Sequence, residues 1–218
     1  MMGDWTMTTN DVSNQNDTQE QAAGIPEEEI QRLIQALHEN ALRALRFKFE
    51  EDQVDGQVLN HEVYGPIFTY KIEVKDGGHK YACGFFMREL LHTFQNNEDP
   101  ALWMSSFFLD LMDAGGERLL PMPPQSEDEA KALIDNIIVP YCAKAIREEF
   151  PDEQVHVDLD LNEQHGAVLE AGFTSISDGN NVCALPLHML IAHHLLNRDP
   201  AEPIIQGLYR IREEHGLE

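Results

Sequence analysis

The sequence predicts an α+β protein in which an α-β-β-β-α-α unit occurs twice in tandem, with antiparallel sheets covered by helices and the halves related by a pseudo-two-fold axis. Three observations carry this. Helical and alternating apolar periods follow one another in the same order in both halves. Turn and cap residues fall at the joints between them. Residues also match at a constant separation of one hundred: Cys83, Leu90, Asn97, Asp99, Pro100, Ala101 and Gly116 are identical to Cys183, Leu190, Asn197, Asp199, Pro200, Ala201 and Gly216. Seven of the 37 positions from Lys80 to Gly116 therefore match, where average composition gives about two, so repetition explains them better than chance.

Residues 1–24 are rich in Asn, Gln, Thr and Asp and carry one aromatic, Trp5, a composition expected to form a disordered acidic and polar tail. The first unit spans 25–116. Ile30, Leu33, Ile34, Leu37, Ala41, Ala44 and Leu45 recur at helical spacing behind the acidic turn Glu27-Glu28-Glu29, which suits a helix N-terminus. Segments 53–59, 67–75 and 79–86 alternate as strands, with Asp76-Gly77-Gly78 as the hairpin turn between the last two. A helix follows over 86–95, and another starts at Asp99-Pro100 and stops at Gly115-Gly116. Residues 117–126 form a Pro-rich connection. The second unit, 127–216, repeats the order: a helix over 127–150, strands over 155–161 and 167–176, a turn at Asp178-Gly179-Asn180, a short strand near Val182, and helices from Leu187 and Pro200. After a slip of one residue, Phe49, Gln53 and Val54 also match Phe150, Gln154 and Val155.

Fifteen Lys and Arg stand against 39 Asp and Glu, a formal charge of −24. That is the wrong sign for neutralising a phosphate backbone or an anionic membrane, so neither nucleic acid nor membrane is an expected partner. No apolar run approaches the roughly 20 residues of a membrane span, and the N-terminal residues lack a signal peptide's basic and apolar regions. Three cysteines without a C-x-x-C pattern fit reduced thiols, and the expected location is cytoplasmic.

Candidate chemistry is sparse. His188, His193 and His194 are five and six residues apart or adjacent, without the i, i+4 spacing that lets two imidazoles converge on a metal. His194, on a stripe with Leu187, Leu190, Ile191 and Leu195, is the one expected to be buried. In the strand VHVDLDL, His156, Asp158 and Asp160 share one face. They are the first place to look for a divalent cation, although a solvated outer face is the default. Cys83 and Cys183 occupy equivalent positions entering a helix, where packing is favoured over reactivity. No phosphate-binding glycine loop or nucleophile motif is present, and no cofactor is expected. The helix 101–112, with Leu102, Trp103, Met104, Phe107, Phe108, Leu109, Leu111 and Met112, is apolar on most of its circumference and should lie between layers. Phe107 and Met112 could alternatively line an adaptable partner surface.

The α-β-β-β-α order resembles that of double-stranded-RNA-binding folds, but the charge and the lack of a Lys-rich helix start remove the RNA-binding implication. With the acidity and small size it also resembles secretion-chaperone-like domains. Neither resemblance transfers a site. The expected function is a cytosolic, non-enzymatic interaction or regulatory protein whose partner, another protein with a basic one among the candidates, meets an acidic face at Asp158 and Asp160 or a groove between the units at Phe107 and Met112. The alternative is a small-molecule- or metal-dependent enzyme with its site in that cleft. Convergent polar groups with shifted pKa values would favour the enzyme, and an apolar patch the protein partner.

Overall fold

The computed structural model describes residues 26–96, 99–163, 166–176 and 181–216. The expected tail and the expected turn at 178–180 lie outside them. Helix α1 (Glu27–Lys48) opens on its three glutamates and buries Ile34, Leu37, Ala41 and Leu45. It stops at Phe49, whose N–H still donates to the Leu45 carbonyl at 2.8 Å while φ and ψ leave the helical region. Strands β1 (Gln53–His61), β2 (Gly65–Glu73) and β3 (Lys80–Phe86) form an antiparallel meander in sequence order. The β2–β3 turn uses Gly77 and Gly78 at φ 101° and 66°, which only glycine adopts freely. Helices α2 (Met87–Gln95) and α3 (Pro100–Asp113) complete the half, and the Asp99 carboxylate accepts the Ala101 N–H at 2.8 Å.

The second half runs in the same order. One helical rod contains α4 (Glu127–Leu133), a π-helical turn (Ile134–Ile138) and α5 (Val139–Glu149). The expected single helix is therefore modified at Pro140, which lacks the N–H a regular α-helix requires there, so the ladder widens just before it. Like α1, the rod ends on a phenylalanine: Phe150 N–H donates to the Ile146 carbonyl at 3.0 Å. Strands β4 (Val155–Asn162), β5 (Gly166–Phe173) and β6 (Val182–Pro186) make a second meander, followed by α6 (Leu187–Leu195) and α7 (Glu202–Glu214). Asp199 accepts the Ala201 N–H at 2.8 Å, the same distance as its counterpart. β5 ends three residues before its expected limit because Asn181 Nδ2 takes the carbonyls of Phe173 and Ile176, both at 2.8 Å.

Each meander packs one face against its own helices. Phe68, Tyr70, Ile72, Cys83 and Phe85 meet α1 and the Met104 and Phe108 side chains of α3. Leu169, Ala171 and Phe173 meet Ile138, Cys142 and Ile146 of the rod together with α6 and α7. Each such fully buried apolar side chain contributes on the order of 2 kcal/mol. The sheets do not join, so there are two cores rather than one. A third, small cluster of Ile67, Phe86, Ala192 and Leu196 bridges the halves.

Two local expectations are corrected. Helix α3 buries Met104, Ser105 and Phe108 but leaves Leu102 61% exposed, because a three-stranded sheet is too narrow to cover an all-round apolar helix. Cys83 and Cys183 lie within β3 and β6 rather than at helix entrances. Burial pushes the Cys83 thiol up to about 12 and raises that of Cys183, so neither gains thiolate character.

Candidate functional site

Helix α6 is apolar on several sides because three environments claim its faces. Leu187 and Leu190 enter the second core, Ala192 and Leu196 press on the outer face of the first sheet, and Met189 and His193 border a polar cleft. The i, i+4 pairs 188/192, 189/193 and 192/196 are the stacked neighbours that separate these faces. The buried histidine is therefore His193, 5% exposed, rather than the expected His194, which is half-buried. Burial, followed by the Arg198 and Arg88 charges, drives its pKa down to about 4, so it is neutral at pH 7. Its Nδ1 is buried with no hydrogen-bond partner among the described residues.

The loop after α6 seals the open edge of β3. Gly84 N–H donates to the Leu196 carbonyl at 3.0 Å, and Asn197 Nδ2 reaches the carbonyls of Ala82 at 2.7 Å and Leu119 at 3.1 Å. Further along the same edge Ala82 N–H donates to the Arg118 carbonyl and Arg118 N–H to that of Lys80, at 2.7 and 2.8 Å. Asn197 holds φ 54°, the left-handed region that asparagine tolerates better than most residues. A side chain on Gly84 would meet Leu196 at 2.4 Å, so glycine there is what admits the loop. Next to it Arg198, 6% exposed, pairs with Glu89 at 3.2 Å and Glu202 at 3.8 Å and lies 3.9 Å over the Phe107 ring.

Two clefts flank α6. The first, of about 510 Å³, lies between the outer face of the first sheet, α6 and the Pro-rich connection, with Leu59, Val63, Ile67, Pro121, Ile191 and Leu195 among its walls. Of these, Leu59 is 44% and Val63 68% exposed. Its few polar groups are Thr69, His61, His188 and Tyr64, whose hydroxyl is buried without a partner among the described residues. The second, of about 560 Å³, opens between α2, α6 and α7 and is polar: Arg88, His92, His193, Arg198 and Arg210 line it with Glu89 and Glu202.

The residues singled out in the sequence are scattered. Phe107 is half-buried beneath the Arg198 guanidinium, and Met112 packs on the edge of the first core. Asp158 and Asp160 are exposed on β4, Asp158 directly opposite Glu170 on β5. His156 instead packs on Gly172, where a side chain would come within 2.6 Å of its ring. The alternation expected of VHVDLDL fails at its far end, where Leu159 and Leu161 are also exposed because the strand outruns the helices beneath it. Among the described residues no group of three or more His, Cys, Asp or Glu is placed to hold a metal ion, and no helix is long and apolar enough to cross a membrane.

Sequence reading missed the junction. Arg88, Arg198 and Arg210 carry no motif, and the apolar residues of α6 read as core. The only available signal was the pairing of Gly84 and Asn197 with Ala184 and Asn97, since a glycine in a strand marks a close approach. Comparison with known proteins finds no family model, no curated protein and no solved structure that matches this chain.

Proposed function

We propose that this is a cytosolic, non-enzymatic interaction module that takes an apolar segment of a protein partner into the groove between the first sheet and α6. The observation that carries this is an apolar cleft with exposed Leu59 and Val63 among its walls on a chain of charge −24. Apolar surface left open on so charged a protein is a mark of an interaction site. Three free cysteines, two of them buried, support a reducing compartment.

To test this, a photo-crosslinking amino acid at Val63 captures the partner in the source cell, and the captured segment is then titrated as a synthetic peptide. Affinity should vary little with salt and fall about tenfold or more in Leu59→Lys/Val63→Lys, since a charge at a buried apolar contact opposes binding. Steep salt dependence with no effect of that variant would remove the groove reading.

A second reading rests on Asp158 and Asp160. Like charges directly opposite on neighbouring strands are unfavourable, so the Asp158–Glu170 pair with Asp160 beside it supports recognition of a basic partner. Its signature is the reverse: an on-rate that falls with salt and slows in Asp158→Asn/Asp160→Asn.

The enzyme alternative draws support from the polar cleft but gains no thiolate from Cys83 or Cys142, since burial pushes both thiols up to about 12. We further propose that 25–116 and 127–216 are copies of one unit joined by 117–126. The shared element order, the paired Asp99 and Asp199 caps, and Gly116 and Gly216 at φ 73° and 64° support common origin.

A further inference from the structure

We infer that the polar cleft on the other side of α6 binds a small organic oxyanion, a carboxylate or phosphate carried on a flat apolar body. The argument begins with its charges. Of the two carboxylates in the cleft, Glu89 accepts both the Arg198 guanidinium and the Phe86 N–H, at 3.2 and 2.9 Å, and Glu202 shares the same arginine at 3.8 Å. Burial raises the Glu202 pKa despite that arginine. The acids of the cleft are thus already met by Arg198. Arg88 and Arg210 remain, and among the described residues neither forms a salt bridge, in a chain where acids outnumber Lys and Arg by 39 to 15. Two uncommitted arginines on one cleft of so acidic a protein are a recognition element for an oxyanion, which a guanidinium binds through paired N–H donors.

The second observation is His193. Its imidazole is held neutral and almost wholly buried, it forms part of the wall of the same cleft, and its Nδ1 has no hydrogen-bond partner among the described residues. Buried polar atoms are rarely left without a partner. An oxyanion held by the arginines would lie against the wall that His193 helps to form. Arg88 and His193 both lie against the Phe86 ring, 5.3 and 5.5 Å from its centroid, and the Arg88 charge is felt at the imidazole. The remaining wall holds Trp103, Met189 and Pro203 beside Thr93 and Gln206. An aromatic or otherwise planar body stacks on Trp103 while its oxyanion meets the arginines. The negative charge of the rest of the molecule opposes approach only weakly, because salt screens it beyond about 8 Å at physiological strength.

The test titrates the full chain with phenyl phosphate, benzoate, inorganic phosphate and the neutral benzyl alcohol, following the Trp103 indole and the amides of Arg88, His92 and Arg210 by two-dimensional NMR. Saturable shifts confined to the cleft are expected with phenyl phosphate or benzoate, and the tighter of the two identifies the headgroup. Inorganic phosphate should bind more weakly, for lack of the apolar body. Each of Arg88→Gln and Arg210→Gln should weaken binding about tenfold, the worth of one charge-assisted hydrogen bond. Both side chains are exposed, so the spectrum away from the cleft should not change. Absence of saturable shifts with both aromatic anions, equal binding of benzyl alcohol, or affinity unchanged in the double variant would overturn the assignment.

Discussion

The two third strands, β3 and β6, occupy the same place in their halves and meet opposite fates. The outer edge of β3 is covered along its length by Arg118, Leu196 and Asn197, and Phe86 N–H at its end is taken by Glu89. No described segment pairs with the outer edge of β6. That strand is short and ends on Pro186, which has no N–H to offer, a standard protection for an open edge. One pair of residues contributes to the difference. Position 84 is glycine and admits Leu196, whereas the residue one hundred later, Ala184, is exposed and meets nothing comparable.

The largest test removes the lock beside β3. Arg198→Met should destabilise the protein by about 3 kcal/mol in urea unfolding, because it strands the partly buried Glu89 and removes a cation from over the Phe107 ring. Arg210→Met, on the cleft's exposed wall, should change stability by less than about 0.5 kcal/mol. Equal effects from the two would mean that the junction is not where stability is held.

Acid should weaken the same junction. The His193 pKa lies below its unfolded value of 6.5, so the unfolded chain binds more protons between pH 6.5 and about 4. Stability is therefore full above pH 6.5 and lost as pH falls through that window, by about 2–3 kcal/mol at its lower end. Carboxylates titrate there too, so the diagnostic is the difference from His193→Gln, whose stability should fall less between pH 6.5 and 5. Parallel curves would exclude His193 as the source.

Exchanging the two edge residues sharpens the comparison directly. Gly84→Ala should cost about 2 kcal/mol by forcing Leu196 off its seat. The opposite change, Ala184→Gly, should cost about 0.5–1 kcal/mol, the ordinary penalty for glycine in a strand. In hydrogen exchange the Gly84 amide should be protected and the Ala184 amide exposed; similar protection at both would show that β6 is covered after all.

The smallest effect is expected on the open outer face of the second sheet. Asp158→Asn should leave stability unchanged or raise it by a few tenths of a kcal/mol, by relieving repulsion across to Glu170. Loss of stability would reveal a partner for that carboxylate within the fold.

Much of this architecture was legible because it is local. Apolar spacing marks α1, glycine marks the β2–β3 turn, and Asp-Pro marks the start of α3, each decided within a few residues by sterics or hydrogen bonding. Repetition at one hundred residues carried the same reading into the second half. The sites were not legible. His193 and His194 are adjacent, and which one is buried depends on how a first-half sheet rolls against α6. Asn197 is a generic turn residue until β3 supplies carbonyls 115 residues away in the chain. Arg88, Arg198 and Arg210 come from three elements of two halves, so their shared cleft exists only after docking. Sequence alone determined the parts and their order, since propensity and periodicity act over a turn or a strand. Tertiary structure alone decided which edge was closed, which histidine was dehydrated and which cations were left uncommitted, because burial and Coulomb interactions depend on distances between residues far apart in the chain.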